Sequence, residues 1–106
     1  MNNKAILAQE FDSPRLLADI GGTYARFALE VSKGDFQHVV SLRCEDYPNF
    51  YAAMRAYLDG LPALSVVHAA VAIANPVDGD MVSMTNYHWQ FSIEDMRQKL
   101  GFDTLL

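Results

Sequence analysis

Asp19-Ile20-Gly21-Gly22-Thr23-Tyr24-Ala25-Arg26 is the stretch in which residue types suited to one chemistry fall together. Two glycines at the tip of a strand–turn–strand leave backbone amides uncovered, so phosphate oxygens can come close with no Cβ in the way. Thr23 adds a hydroxyl donor at the same place. Asp19, at a strand end, suits a Mg²⁺ ion held directly or through water, because Mg²⁺ usually takes one or two carboxylates together with substrate phosphates. Arg26 stands three residues beyond Thr23 and offers a guanidinium for phosphate or for a structural ion pair. Phosphoryl transfer asks for positioning and charge neutralisation more than for covalent chemistry, and these residues meet that need. A Gly-Gly pair between strands is also, more simply, a hairpin turn; at motif level both readings stand. Neither standard nucleotide loop, G-x-x-x-x-G-K-S/T or G-x-G-x-x-G, occurs in the chain.

The elements that must position these groups are readable from periodicity. Leu16 to Ile20 is a short apolar run ended by Gly21-Gly22, the pattern of a buried strand entering a tight turn. Ala25, Phe27, Leu29 and Val31 then alternate with Arg26 and Glu30, which predicts a second strand. Lys33-Gly34-Asp35 makes the next turn, and Gln37 to Arg43 supplies a third strand. Short spacers between three strands predict an antiparallel meander. The period changes at Phe50, Ala53, Met54, Tyr57 and Leu58, which share one helical face. Pro48 suits the first turn of that helix and Gly60 the position after its last. Val66 to Ala74 is nearly unbroken in apolar character and reads as a central, parallel strand covered on both faces. Met81 to Thr85 is a short further strand. Ser92 with Asp95 resembles a capping box, and Phe91 and Met96 occupy the staple positions of a second helix that Gly101 ends. Phe102 to Leu106 turns apolar again, as if entering another strand, so the terminus reads as that of a fragment.

Bulk properties narrow the classes. The chain has 106 residues, enough for one compact domain. Its formal net charge is −5, from 13 acidic and 8 basic residues, and its arginines are scattered. Nucleic-acid binders carry a basic face that replaces counterions, so nucleic acid is disfavoured as a partner, as is an anionic membrane. Residues 1–14 lack the apolar core of a signal peptide and no run approaches the ~20 apolar residues of a membrane span, so a cytoplasmic protein with a loosely ordered extension at 1–14 is expected. Cys44, the single cysteine, reads as a reduced, part-buried thiol. His38, His68 and His88 show no metal-ligand spacing, and His68 inside its apolar run reads as a hydrogen-bonded core residue. Trp89 and the methionines Met54, Met81, Met84 and Met96 read as core.

Three motifs in order carry a family resemblance. Asp19 to Arg26 resembles the phosphate loop of sugar kinases in the hexokinase and actin superfamily. Ala72-Ile73-Ala74-Asn75-Pro76-Val77-Asp78-Gly79-Asp80 is similar to the stretch of bacterial ATP-dependent glucokinases that leaves the central strand and turns back. Met84-Thr85-Asn86-Tyr87-His88-Trp89-Gln90-Phe91-Ser92 resembles the Thr-Asn…Trp-x-Phe-Ser segment of the same family, and Leu100-Gly101-Phe102 matches in kind. The resemblance runs from about Leu16 to the end. Tyr24 departs from it, standing where these glucokinases usually place Asn.

The resemblance implies an α/β fold: a ribonuclease H-like (actin-like ATPase) small lobe over 15–106, with a mixed five-stranded sheet, its first three strands antiparallel, and helices packed on it. It implies phosphorylation of D-glucose by ATP, in glycolysis, with ATP and Mg²⁺ as cosubstrate and cofactor. Carried over, Gly21, Gly22 and Thr23 contact the ATP phosphates together with Asp19, which also holds Mg²⁺, while Arg26 serves phosphate or structure. Asn86 falls on the sugar side of the cleft. The family continues past this point into an Asn-Asp-Phe motif whose Asp is the general base, so no catalytic residue is expected among these 106 and the chain alone is expected to be inactive. Self-association of the chain and a homodimeric parent are further expectations. The rivals are a kinase for another hexose, such as fructose, mannose or an N-acetylated amino sugar, and a non-catalytic sugar- or nucleotide-binding module.

Overall fold

The phosphate-loop candidates sit on a sheet whose two faces differ sharply. A computed structural model describes residues 10–61, 66, 68–73, 77–83 and 89–105. Strands β1 (Glu10–Ile20), β2 (Tyr24–Ser32) and β3 (Asp35–Arg43) form the expected antiparallel meander. Strand β4 (His68–Ile73) lies parallel to β1 on its other side, and β8 (Thr104–Leu105) lies parallel to β4. The result is a mixed five-stranded sheet in the order β3-β2-β1-β4-β8. β1 begins at Glu10, inside the stretch expected as a loose extension; a register shift separates Glu10 from the regular pairing that starts at Arg15.

Period two decides which side chains enter the core. Leu16, Ala18 and Ile20 of β1 and Ala25, Phe27 and Leu29 of β2 are buried on one face. Helix α1 (Phe50–Asp59) packs there through Phe50, Ala53, Met54 and Tyr57. Its cap is Asn49, whose side chain accepts from the Ala52 amide at 2.8 Å, so Pro48 lies before the helix and not in its first turn. Phe27 stacks on Tyr57 with centroids 4.9 Å apart, and the Tyr57 hydroxyl donates to the His38 carbonyl at 2.7 Å. That bond meets a bulge: Ala28 falls opposite a β3 segment in which His38 adopts φ 54°, a left-handed conformation uncommon outside glycine. Burial pushes the Tyr57 hydroxyl up to about 12, so it remains a donor at neutral pH.

The opposite face carries Leu17, Asp19, Arg26, Ala28, Val39, Ala70 and Ala72, which line an open apolar hollow of about 500 Å³. Strand β4 is therefore covered on one side among the described residues: Ala69 is buried, Ala70 and Val71 are half-buried and Ala72 is exposed. This departs from the two-sided burial that its apolar run predicts. His68 is likewise half-buried, with Nδ1 2.8 Å from the Thr104 hydroxyl.

A second, small sheet contains the short strand expected from Met81 onward and two strands that the sequence did not announce. Strands β5 (Val77–Asp78), β6 (Met81–Ser83) and β7 (Gln90–Ser92) form an antiparallel set in the order β5-β6-β7. Alternation in β6 buries Val82 and turns Met81 outward, 44% exposed, which corrects its reading as a core residue. Met84 lies outside the described residues. Trp89, Met54 and Met96 are buried as expected.

Helix α2 (Ile93–Leu100) follows β7 directly. Ser92 caps it, its hydroxyl accepting from the Asp95 amide at 3.1 Å. Asp80, in the β5–β6 turn, adds a second clamp: its carboxylate accepts from the Glu94 amide at 2.9 Å and from the Ser92 hydroxyl, and its carbonyl accepts from Ile93 N–H. Gly101 ends the helix at φ 72°.

Glu94, in the first turn, accepts from the Arg97 guanidinium and from Gln98 Nε2. These bonds, Arg97's first, hold its carboxyl down at about 2, below the ordinary 4.5. A depressed folded-state pKa contributes stability above the unfolded pKa that is lost as pH falls toward the folded one. The melting temperature is therefore expected to decline between pH about 5 and about 2, with Glu94→Gln flattening part of that decline. Because the pair is exposed, the effect is small. Parallel melting curves with and without Glu94→Gln that keep the same slope in this window would contradict it.

Candidate phosphate-binding site

Asp19, Gly21, Gly22, Thr23, Tyr24 and Arg26 line a single hollow of about 260 Å³ at the carboxyl end of β1. The expected loop residues are thus brought together. Asn86 lies outside the described residues.

The loop joins β1 to β2 in three residues. Gly21 N–H donates to the Tyr24 carbonyl at 2.9 Å and closes it. The amides of Gly22 and Thr23 donate to no partner among the described residues. Two successive uncommitted N–H groups beside a threonine hydroxyl make a place where an anion is favoured.

A hairpin turn of the common two-residue type demands glycine because φ is positive at its centre. Neither Gly21 nor Gly22 has a positive φ, unlike Gly34, Gly79 and Gly101. A Cβ built on Gly21 would meet the Tyr24 carbonyl at 3.6 Å, an ordinary contact. The described residues therefore leave room for a side chain at Gly21. Turn geometry alone leaves this glycine unexplained, and the missing Cβ leaves the backbone open to close approach.

Asp19 and Arg26 face each other across the β1–β2 pair. Arg26 Nη1 lies 3.9 Å from Asp19 Oδ2, and both side chains are about two-thirds exposed. A pair this long and this wet contributes little, so the carboxylate remains free to meet a cation. Among the described residues no three His, Cys, Asp or Glu side chains gather into a metal cluster. One carboxylate fits Mg²⁺ when phosphate oxygens complete the shell. Tyr24, 44% exposed, also lines the hollow.

Sequence reading missed Cys44. Pairing of Tyr24 with Arg43 sets the next residue, Cys44, opposite Thr23. Its amide donates to the Thr23 carbonyl at 2.9 Å and its thiol to the Gly21 carbonyl, with Sγ 3.8 Å away. The strand register was the signal that could have found it.

Known proteins provide a separate line of evidence. The family model described as glucokinase matches residues 16–106. The chain is 56% identical over 102 residues to the bifunctional protein glk of Burkholderia lata, which covers 96% of this chain and 16% of that protein. It is 57% identical over 95 residues to glucokinase of Neisseria gonorrhoeae, covering 90% of this chain and 29% of that one. A crystal structure of glucokinase from an Antarctic psychrotroph superposes with a TM-score of 0.80 at 36% identity, over 91% of this chain and 31% of its own. The chain therefore spans less than a third of the length of these relatives.

Proposed function

Since the chain belongs to the glucokinase family, we propose that it is the amino-terminal part of an enzyme that transfers the γ-phosphoryl group of ATP to the 6-hydroxyl of D-glucose. The products are glucose 6-phosphate and ADP, and the setting is cytoplasmic glycolysis. One observation carries the reading: the Gly21–Thr23 loop holds two amides uncommitted among the described residues, next to an exposed carboxylate, with a glycine that the turn itself does not require.

In this reading Gly21, Gly22 and Thr23 hold the ATP phosphates, and Asp19 holds Mg²⁺ bound to them. The ion, when bound, neutralises phosphate charge. Arg26, on the neighbouring strand, serves phosphate or structure. Asn86 belongs to the sugar side. The strand order β3-β2-β1-β4-β8, antiparallel then parallel, supports assignment as a ribonuclease H-like small lobe of a two-lobed kinase that closes around its substrates.

The general base belongs to an Asn-Asp motif beyond Leu106, so the 106-residue chain is inactive by itself. Loss of such a base costs about 10²–10⁴-fold. The apolar hollow beside Leu17, Ala28 and Ala70 supports self-association of the isolated chain, which sedimentation at increasing concentration reads, as it does the dimerisation expected of the parent.

The deciding experiment is a coupled ATP-dependent phosphorylation assay across a panel of hexoses, on the chain extended to its natural end. Strong preference for glucose is expected, with no turnover by residues 1–106 alone. Preference for fructose, mannose or an N-acetylated amino sugar would move the substrate and keep the loop. Absence of activity on every sugar would favour a binding module.

A further inference from the structure

The Gly21–Thr23 loop is held from below by a segment that no local motif announces. Cys44 opens a 3₁₀ turn, Cys44–Asp46, immediately after β3. Its side chain is 1% exposed. Two bonds run from this residue to the loop: the amide to the Thr23 carbonyl and the thiol to the Gly21 carbonyl. These carbonyls flank Gly22, so both peptide planes bordering the loop tip have their oxygens turned toward Cys44. In a peptide plane the N–H points opposite to the C=O. Drawing the Gly21 carbonyl inward therefore helps to turn the Gly22 amide, which shares its peptide plane, outward, while the bond to the Thr23 carbonyl anchors the far end of the loop.

The turn is itself anchored. Tyr47 N–H donates to the Cys44 carbonyl at 3.2 Å, and the Trp89 indole N–H donates to the Tyr47 carbonyl at 3.1 Å. Trp89 is 1% exposed and packs against Phe50, with ring centroids 5.9 Å apart. A continuous path of hydrogen bonds thus runs from the core, through the 3₁₀ turn, to the loop. Burial raises the Cys44 thiol above its ordinary value, so the sulfur keeps the proton it donates.

We propose that Cys44 is a positioning residue for nucleotide binding: its buried thiol fixes the Gly21 carbonyl and thereby the direction of the Gly22 amide toward the ATP phosphates. This rests on the reading of that loop as a phosphate site. A thiol is a weak donor, so its contribution lies in orientation and in filling the space beneath the loop. The side chain can be exchanged while the backbone bond to Thr23 is kept, which makes the role testable.

The test uses the full-length enzyme with Cys44→Ser, Cys44→Val and Cys44→Ala, measuring kcat, KM for Mg-ATP, KM for glucose and the melting temperature. Cys44→Val fills similar space without a donor. It is expected to raise KM for Mg-ATP about fivefold, the scale of one net hydrogen bond, and to leave KM for glucose unchanged. Cys44→Ser retains a donor and is expected to restore KM for Mg-ATP to within about twofold. Leu29→Ala is the comparator, a change at a fully buried position further along β2. It should lower the melting temperature without moving KM for Mg-ATP.

Unchanged KM for Mg-ATP in Cys44→Val, or an equal rise in both KM values, overturns the proposal. So does failure of serine to rescue. If valine prevents folding, Cys44→Ala against Cys44→Ser gives the same comparison. Asp19→Ala, measured alongside, separates the two levels. Loss of Mg-ATP dependence there with no effect at Cys44 removes the positioning role alone, whereas indifference at Asp19 removes the phosphate-site reading beneath it.

Discussion

Replacing Asp19 by alanine in the full-length enzyme is expected to lower kcat/KM for Mg-ATP by about 10²–10³-fold, the scale seen when one group that meets developing charge is removed. The argument is geometric. Asp19 ends β1 next to the loop, about two-thirds exposed, and shares one hollow with Gly21, Gly22 and Thr23. Its one described ion-pair partner, Arg26, stands 3.9 Å away in solvent, so the side chain has little structural work there. Stability should accordingly change little, within ~1 kcal/mol. KM for glucose should also hold, because the role proposed for Asp19 is at the phosphates. Asp19→Asn keeps the size and removes the charge, and should fall nearly as far as alanine. If both variants keep Mg-ATP kinetics within twofold of the parent, Gly21-Gly22 is a turn and nothing more.

The grouping of side chains around Asp19 was legible because it is local. Eight consecutive residues contain the carboxylate, both glycines, the hydroxyl and the guanidinium, and strand alternation on either side fixes which of them face out together. Period two likewise exposed the meander, and the spacing from Phe50 to Leu58 exposed α1. Features that depend on register or on very short elements stayed hidden. Cys44 reaches Gly21 across 23 positions of sequence, through a β2–β3 pairing that contains a bulge at His38. Strands as short as β5 and β7 show no period, and within the strand expected from Met81 to Thr85 the facing was not read, so Met81 was assigned inward on composition and turns out to be exposed. The run around β4 was read as covered on both faces because composition reports apolarity and says nothing of what lies opposite.

The largest effect on stability is expected from Phe50→Ala. Phe50 is the first residue of α1 and is fully buried. Its ring meets Phe91 of β7 at 4.6 Å between centroids, Trp89 at 5.9 Å and Phe27 of β2 at 6.5 Å. It is therefore the side chain through which the five-stranded sheet, α1 and the small sheet share one core. Truncation removes apolar burial and leaves a cavity bordered by three rigid rings that cannot collapse into it, which places the cost at about 3–5 kcal/mol. A domain of this size holds only about 5–15 kcal/mol in all. At roughly 4–8 °C per kcal/mol, the melting temperature should fall on the order of 20 °C. Phe50→Leu, which refills much of the space, should recover most of the loss. The single tryptophan gives the readout, since Trp89 is 1% exposed beside Phe50 and its emission shifts to the red when water reaches it. A midpoint lowered by only a few degrees, with Trp89 still shielded, would mean that the three layers are held together by contacts other than this ring.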